Sequence, residues 1–158
     1  MATLLEKEGA IMKKMGHPHI VKLFEIIDDP DHHKQFLIQE YVQGGDLEQK
    51  IYKTALTEPQ VRKYFRQLIS AVWYCHEVAN VYHRDIKPEN ILIDSEDNIK
   101  LSDFGVGEIQ EKSKGSKSKK TAGSYPYMCP ESFQMKDYSD KQADLWACSI
   151  TLYEMIFK

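Results

Sequence analysis

Between Tyr82 and Gly105 the chain reads YHRDIKPENILIDSEDNIKLSDFG, and four side chains within it form a chemical set. Asp85 is a carboxylate, Lys87 a cation two residues later, Asn90 a neutral amide oxygen, and Asp103 a second carboxylate. Moving a phosphoryl group to a hydroxyl asks for these parts. A carboxylate must face the attacking hydroxyl, a cation must face the transferred group, and oxygen ligands must hold the Mg²⁺ that accompanies a nucleotide. Asp103-Phe104-Gly105 alone would be a weak signal, since three residues recur by chance; ordinary turn carboxylates are the alternative reading of Asp85 and Asp103, and it is the lesser one.

The elements around these residues are legible as patterns. Leu4, Leu5, Ile11, Met12 and Met15 predict a helix over 3–15, with Gly16 suited to ending it. HPHIVKLFEII reads as a turn feeding a strand, DDPDHH (28–33) as a polar hairpin loop, and QFLIQEYV as a second strand closed by Gly44-Gly45. Asp46 opens a short helix through about Tyr52. Thr57-Glu58-Pro59-Gln60 is a helix start with a capping box, followed by Val61, Phe65, Leu68, Ile69, Val72 and His76 on one face. NILID and IKLSD flank Ser95–Asn98 as a small hairpin, which puts Asn90 and Asp103 on neighbouring loops. EKSKGSKSKK (111–120) reads as a solvated loop. Ser139-Asp140-Lys141-Gln142 opens a last helix whose residues 143–157 are apolar on all sides, the pattern of a helix buried within a larger body.

Composition bounds the rest. With 158 residues, 42% of them hydrophobic, the chain is long enough for one globular unit. A net charge of −3 points to neither nucleic acid nor an anionic membrane as partner. Cys75, Cys129 and Cys148 lack paired metal spacing and read as reduced thiols of a cytosolic or nuclear protein. The N-terminal stretch is too charged for a signal peptide, and no apolar run reaches membrane-spanning length.

Four anchors in order, HRDIKPEN (83–90), SDFG (102–105), MCPE (128–131) and DLWACS (144–149), carry a resemblance over almost the whole chain. The chain resembles the catalytic domain of eukaryotic-type serine/threonine protein kinases. The resemblance implies an α+β, protein-kinase-like fold truncated at both ends. Residues 1–42 are then a remnant of the small lobe and hinge, and 43–158 an incomplete large lobe. DDP at 28–30, DFGV at 103–106 and DLWACSITLYEM at 144–155 are most similar to the calcium/calmodulin-dependent protein kinase kinases.

By the same resemblance ATP and Mg²⁺ are the cofactors and a protein hydroxyl the acceptor. Asp85 orients or accepts the hydroxyl proton, Lys87 neutralises the transferred phosphate, and Asn90 and Asp103 are the metal ligands. Lys87 at its position is the serine/threonine pattern. Gln39 falls at the gatekeeper, the backbone of Glu40 and Val42 meets the adenine edge, Asp46 reaches the ribose, Leu92 floors the pocket, and Glu89 joins this nucleotide-binding group. Asp46 has an alternative reading as a plain helix cap. His83 and Phe104, with Met12 and Leu23, match an apolar spine. Arg84 pairs with a phosphate on the activation segment or with local backbone. Ser124 bonds Asp85 and Lys87, although Tyr125 stands where a proline usually follows. Asp144 holds the His83-Arg84 turn, and Glu131 pairs with an arginine beyond the chain.

Departures from the pattern are as informative. Glu8 sits where the family places a helix carboxylate that pairs with a lysine on an earlier strand. Nothing before it supplies that lysine or a glycine-rich phosphate loop, so Glu8 is expected to lack a partner. The usual phosphorylated position falls on Lys120, leaving Thr121, Ser113, Ser116 and Ser118 as acceptors. Two functions of different class follow: a segment of an active kinase, or a non-catalytic kinase-like scaffold or decoy. Small-molecule phosphotransferases, which lack the Cys-Pro-Glu and DLW anchors, rank third.

Overall fold

One long helix organises the large part of the molecule. The computed structural model describes residues 4–32, 34–109, 117–118, 123–134 and 138–158. Helix α3 (Glu58–Tyr74) begins at the predicted box, with Gln60 Oε1 accepting from the Thr57 N–H at 3.0 Å. Its buried face is Val61, Tyr64, Leu68, Ala71 and Val72. Tyr64 takes the central place that the apolar pattern did not assign it, because its hydroxyl reaches Asp97 while its ring is fully buried.

Among the described residues, further helices and strand pairs surround α3 or join it to the rest. Helices α1 (Leu4–Met12), α2 (Leu47–Lys53) and α4 (Asp140–Phe157) accompany strands β1 (Leu23–Asp29), β2 (Lys34–Gln39), β3 (Val81–Tyr82), β4 (Ile91–Ile93), β5 (Ile99–Leu101) and β6 (Glu108–Ile109). The β4–β5 hairpin pairs Ile91 with Leu101 and Ile93 with Ile99, all four buried. Gln67 of α3 accepts from the Ile99 N–H at 3.0 Å and donates to Asn98 Oδ1 at 2.9 Å. That grip fixes the loops leaving both ends of the hairpin, which carry the chemical residues.

The small N-terminal part is the antiparallel β1–β2 hairpin with α1 beside it. It is tied to β5 by a parallel bridge from Ile20, with Val21 N donating to Leu101 O and Leu101 N to His19 O, both at 2.9 Å. The predicted loop at 28–33 is shorter, since β1 runs on to Asp29 and a 3₁₀ turn spans Pro30–His32. Helix α1 also stops before the predicted residue 15. Lys14 N and Met15 N bond back three residues, to Ile11 O and Met12 O, a tightening that ends the helix. Gly16 N then donates to the Tyr74 hydroxyl at 3.0 Å.

Three further features differ from the sequence expectation. After α3 the chain makes a π-helical turn, Cys75–Ala79, closed by Asn80 in the left-handed region (φ 55°). Part of the basic loop pairs as strand: β7 (Lys117–Ser118) lies antiparallel to β8 (Tyr138–Ser139). Most of 111–120, with Thr121, Ser113, Ser116 and Lys120, lies outside the described residues. Finally, α4 is not buried all round. Asp140, Asp144, Ala147, Cys148, Thr151 and Met155 form its buried stripe, whereas Leu145, Trp146, Tyr153, Ile156 and Phe157 are exposed, Phe157 at 69%. Its apolar composition exceeds what its packing on α3, β3 and the neighbouring turns covers.

Candidate active site

The turn at 83–85 is held by one buried side chain. Asp144, fully buried in α4, accepts from His83 N at 2.9 Å and Arg84 N at 2.8 Å, and its Oδ2 lies 2.7 Å from His76 Nε2. Arg84 sits in the left-handed region (φ 69°), which costs a non-glycine residue energy and needs such restraint. His76, in the π turn, was read only as part of an apolar face; sequence separation hid its link to Asp144. His83 Nε2 lies 3.0 Å from Ser102 O, and Nδ1 lies 3.2 Å from the Asp85 N–H. The backbone N–H must donate to Nδ1, so Nε2 carries the ring hydrogen. Burial pushes the His83 pKa down, against the pull of Asp144 and Ser102, and keeps the ring neutral. His83 packs at a tilt of 59° against the fully buried Phe104, ring centres 4.7 Å apart.

Beyond that turn the polar side chains converge on Asp85. Its Oδ1 accepts from Ser124 N at 2.8 Å, and its Oδ2 lies 3.2 Å from Lys87 Nζ and 3.1 Å from Asn90 Nδ2. Lys87 Nζ also donates to Ser124 Oγ at 2.7 Å. Burial pushes the Asp85 pKa up, but the hydrogen bonds from Ser124 and Lys87 and the lysine charge outweigh it, leaving the carboxyl below its usual range. Asn90 Nδ2 also donates to Asp85 O at 2.8 Å, which turns its amide oxygen away from that carbonyl. Asn90 O accepts from both Ser102 N and Ser102 Oγ, so the two loops are stitched together.

Gly123 makes the approach of Ser124 possible. A Cβ at Gly123 would lie 2.2 Å from Arg84 O, and its φ of +94° is itself strained for any other residue. This requirement was not seen in the sequence, where Gly123 lacked a partner to be close to.

Asp103, exposed and at φ 61°, accepts from Gly105 N at 3.2 Å. Glu8 comes to the same place: a Cβ on Gly105 would lie 3.1 Å from Asp103 Oδ1 and 3.8 Å from Glu8 Oε2. Burial and then the Asp103 charge push the Glu8 pKa up, opposed by a hydrogen bond with Gln39. Among the described residues the polar neighbour of Glu8 is Gln39 of β2 and not a lysine, and Gln39 Nε2 lies 3.1 Å from Met12 Sδ. Glu8 and Asp103 lie close enough for their charges to interact, and the exposed Asp103 carboxylate is the kind of oxygen ligand that a hard cation takes. Among the described residues no group of three or more His, Cys, Asp or Glu gathers as a resident metal site. Mg²⁺ bound by one or two protein oxygens and a nucleotide needs no such group.

On the nucleotide side, segment 44–46 lies on β4. Gly44 N donates to Ile93 O at 2.7 Å and Ile93 N to Gly45 O at 2.9 Å. A Cβ at Gly44 would fall 2.5 Å from Ile93 O, so the close approach requires glycine. Asp46 bridges to the half-buried Leu92. Its carboxylate caps α2, accepting from Gln49 N at 2.8 Å and Gln49 Nε2 at 2.6 Å, the plainer of its two sequence readings. Glu40 N donates to Lys22 O and its carboxylate pairs with Lys100 at 2.8 Å, so any part it takes in binding falls to its carbonyl. Val42 is half-buried against the core. Glu89 has one buried oxygen, Oε2, without a hydrogen-bond partner.

Arg84 does not point to local backbone alone. Its guanidinium pairs with Glu108 of β6, and its Nε lies 3.3 Å from Asp140 Oδ1. Neither acid was singled out from the sequence.

Comparison with known proteins decides the family. The chain matches the family described as "Protein kinase domain" over residues 2–158. It belongs to the protein kinase family. CBL-interacting serine/threonine-protein kinase 8 of Arabidopsis thaliana is 41% identical over 157 residues, covering 99% of this chain and 34% of the relative. CBL-interacting protein kinase 10 of Oryza sativa subsp. japonica is 41% identical over 153 residues, covering 96% and 33%. This protein kinase chain therefore spans about a third of the length of the curated relatives it matches. The first is a serine/threonine-protein kinase by name and the second a protein kinase, and neither is named as a calcium/calmodulin-dependent protein kinase kinase.

Proposed function

We propose that the protein transfers the γ-phosphoryl group of Mg-ATP to serine or threonine hydroxyls of a protein substrate. The observation that carries this reading is the closed set around Asp85, in which Lys87, Asn90 and Ser124 all bond the same carboxylate or one another. A depressed pKa keeps Asp85 ionised, so its oxygens accept a hydrogen bond from the incoming hydroxyl and align it. The hydroxyl oxygen bonds to the γ-phosphorus, the bond to the β–γ bridging oxygen breaks, ADP leaves, and the hydroxyl proton passes to Asp85. Lys87, 2.7 Å from Ser124 Oγ, places its charge beside the transferred group. Asn90 and Asp103 would hold Mg²⁺, which supplies charge neutralisation of the phosphates when bound. The backbone at Glu40 and Val42, with Leu92 below, would seat the adenine; Gln39 borders that pocket, and Asp46 and Glu89 stand near the ribose side.

Thr121, with Ser113, Ser116 and Ser118, remains the proposed acceptor set for regulatory phosphate. The residues quoted above support a calcium/calmodulin-dependent kinase kinase relation, while the 41% relatives support one with CBL-interacting kinases; a CBL protein is accordingly a first partner to test. Three buried free cysteines support a reducing, cytosolic or nuclear, compartment. A scaffold reading draws on Glu8, whose partner is Gln39 rather than a lysine.

A nucleotide thermal-shift experiment separates the two. ATP with Mg²⁺ should raise the melting temperature, and Asp103→Ala should abolish the metal-dependent part of the rise. Equal shifts with and without Mg²⁺, unchanged in Asp103→Ala, would leave the scaffold reading standing.

A further inference from the structure

Arg84 lies between three parts of the molecule. Asp144 of α4 holds its N–H, Gly123 packs against its carbonyl, and its guanidinium meets Glu108 and Asp140. The Arg84 side chain is 8% exposed and that of Asp140 7%, whereas Glu108 is 56% exposed. Attraction between charges strengthens as water is removed, so the pair with the buried Asp140 is screened less than the pair with Glu108, although of the two acids only Glu108 accepts a hydrogen bond from the guanidinium. The geometry has a cost. Asp140 Oδ1 has charge compensation at 3.3 Å but no donor aligned on it. It faces a small cavity that Arg84, Asp85, Ser124, Tyr138 and Asp144 also line. A fold that carries such a carboxylate at the start of α4 gains by what it holds.

We propose that Asp140, assisted by Glu108, is a positioning residue for Asp85: together they occupy the Arg84 guanidinium and set the 83–85 turn without a phosphate on the activation segment. The inference rests on the kinase reading of Asp85. Two carboxylates already neutralise the single arginine charge, and a phosphate brought to the same guanidinium would meet both of them at close range. Repulsion of that kind disfavours the phosphorylated arrangement at Arg84 and leaves the segment's serines and threonine free for other regulation.

Asp140→Asn keeps the shape and removes the charge. In the intact protein we expect amide exchange at Arg84 and Asp85 to accelerate about tenfold or more, as a restraint worth one hydrogen bond or ion pair is lost. Turnover should fall about tenfold with the KM for ATP within about twofold, since a positioning effect on the hydroxyl side spares nucleotide binding. Glu108→Gln, at an exposed site that folds regardless, should move both readouts the same way by less. Phosphatase treatment of the wild type should leave turnover unchanged. Unchanged exchange at 84–85 in both variants overturns the proposal, as does loss of wild-type turnover on phosphatase treatment. Absence of phosphotransfer in the wild type would refute the kinase reading alone, because exchange still reports on the clamp.

Discussion

Replacing Asp144 by asparagine keeps the volume of the side chain and removes half of its accepting capacity. The carboxylate serves His76, His83 N and Arg84 N at 2.7, 2.9 and 2.8 Å, and nothing of it is exposed to solvent. An asparagine oxygen placed at Oδ2 can keep His76 and His83. Its NH₂ group must then face the Arg84 N–H, donor against donor. A buried donor left unsatisfied costs about 1–3 kcal/mol, and each retained bond falls from the charged to the neutral class, a loss of about 1 kcal/mol. The expected destabilisation is therefore about 3–5 kcal/mol, or a fall of about 6–20 °C in melting temperature for a chain of this size. Chemical denaturation gives the free energy, and amide exchange at 83–85 shows whether the loss begins at the turn. A variant within about 1 kcal/mol of the wild type, with protected Arg84, would refute the idea that this one carboxylate holds the turn.

Gly123→Ala should cost at least about 2 kcal/mol, because its Cβ meets Arg84 O at 2.2 Å in a backbone conformation that alanine resists. Turnover should collapse while the Mg-ATP thermal shift persists, and a fully active variant would show that the Gly123–Arg84 contact is not needed. Burial pushes the Asp140 pKa up to about 6 from 3.8; Arg84 opposes the rise, Glu108 and Asp144 add to it, and Asp85 and Tyr138 line the same cavity. A raised folded-state pKa stabilises fully below 3.8, and that contribution is lost as pH rises through about 6. The melting temperature of Asp140→Asn relative to wild type should therefore climb from about pH 4 to about pH 6 and level off above about pH 7, opposite in sign to its effect on turnover. A difference independent of pH would refute this assignment.

Much of the fold was legible because its signals are local. The Thr57 and Ser139 caps, the Ser95–Asn98 turn and the β-branched, turn-bounded runs of β1 and β2 depend on residues within one or two turns of each other. The α3 face was read in part: Val61, Leu68 and Val72 are buried and Phe65 and Ile69 partly so, but Ala71 was missed, as was Tyr64, whose hydroxyl meets Asp97 and Lys50. The π turn at Cys75–Ala79 escaped because one added residue in a helical run leaves the apolar period almost unchanged. The extent of α4 burial escaped because composition states how apolar a helix is, and only its neighbours state how much of it they cover.

The site divides in the same way. Asp85, Lys87, Asn90 and Asp103 could be named from sequence alone, because their residue types and spacing within one short stretch already state the chemistry. Ser124 and Asp144 were reachable only through resemblance to a family, since nothing local ties them to Asp85. The tertiary structure alone decided that Gly123 abuts Arg84, that His76 shares Asp144, that Glu8 turns to Gln39, and that Glu108 and Asp140 hold the guanidinium. Those contacts join residues far apart in the chain, and they exist only once α3, α4 and the β4–β5 hairpin have packed and excluded the water that would otherwise satisfy each of these polar groups.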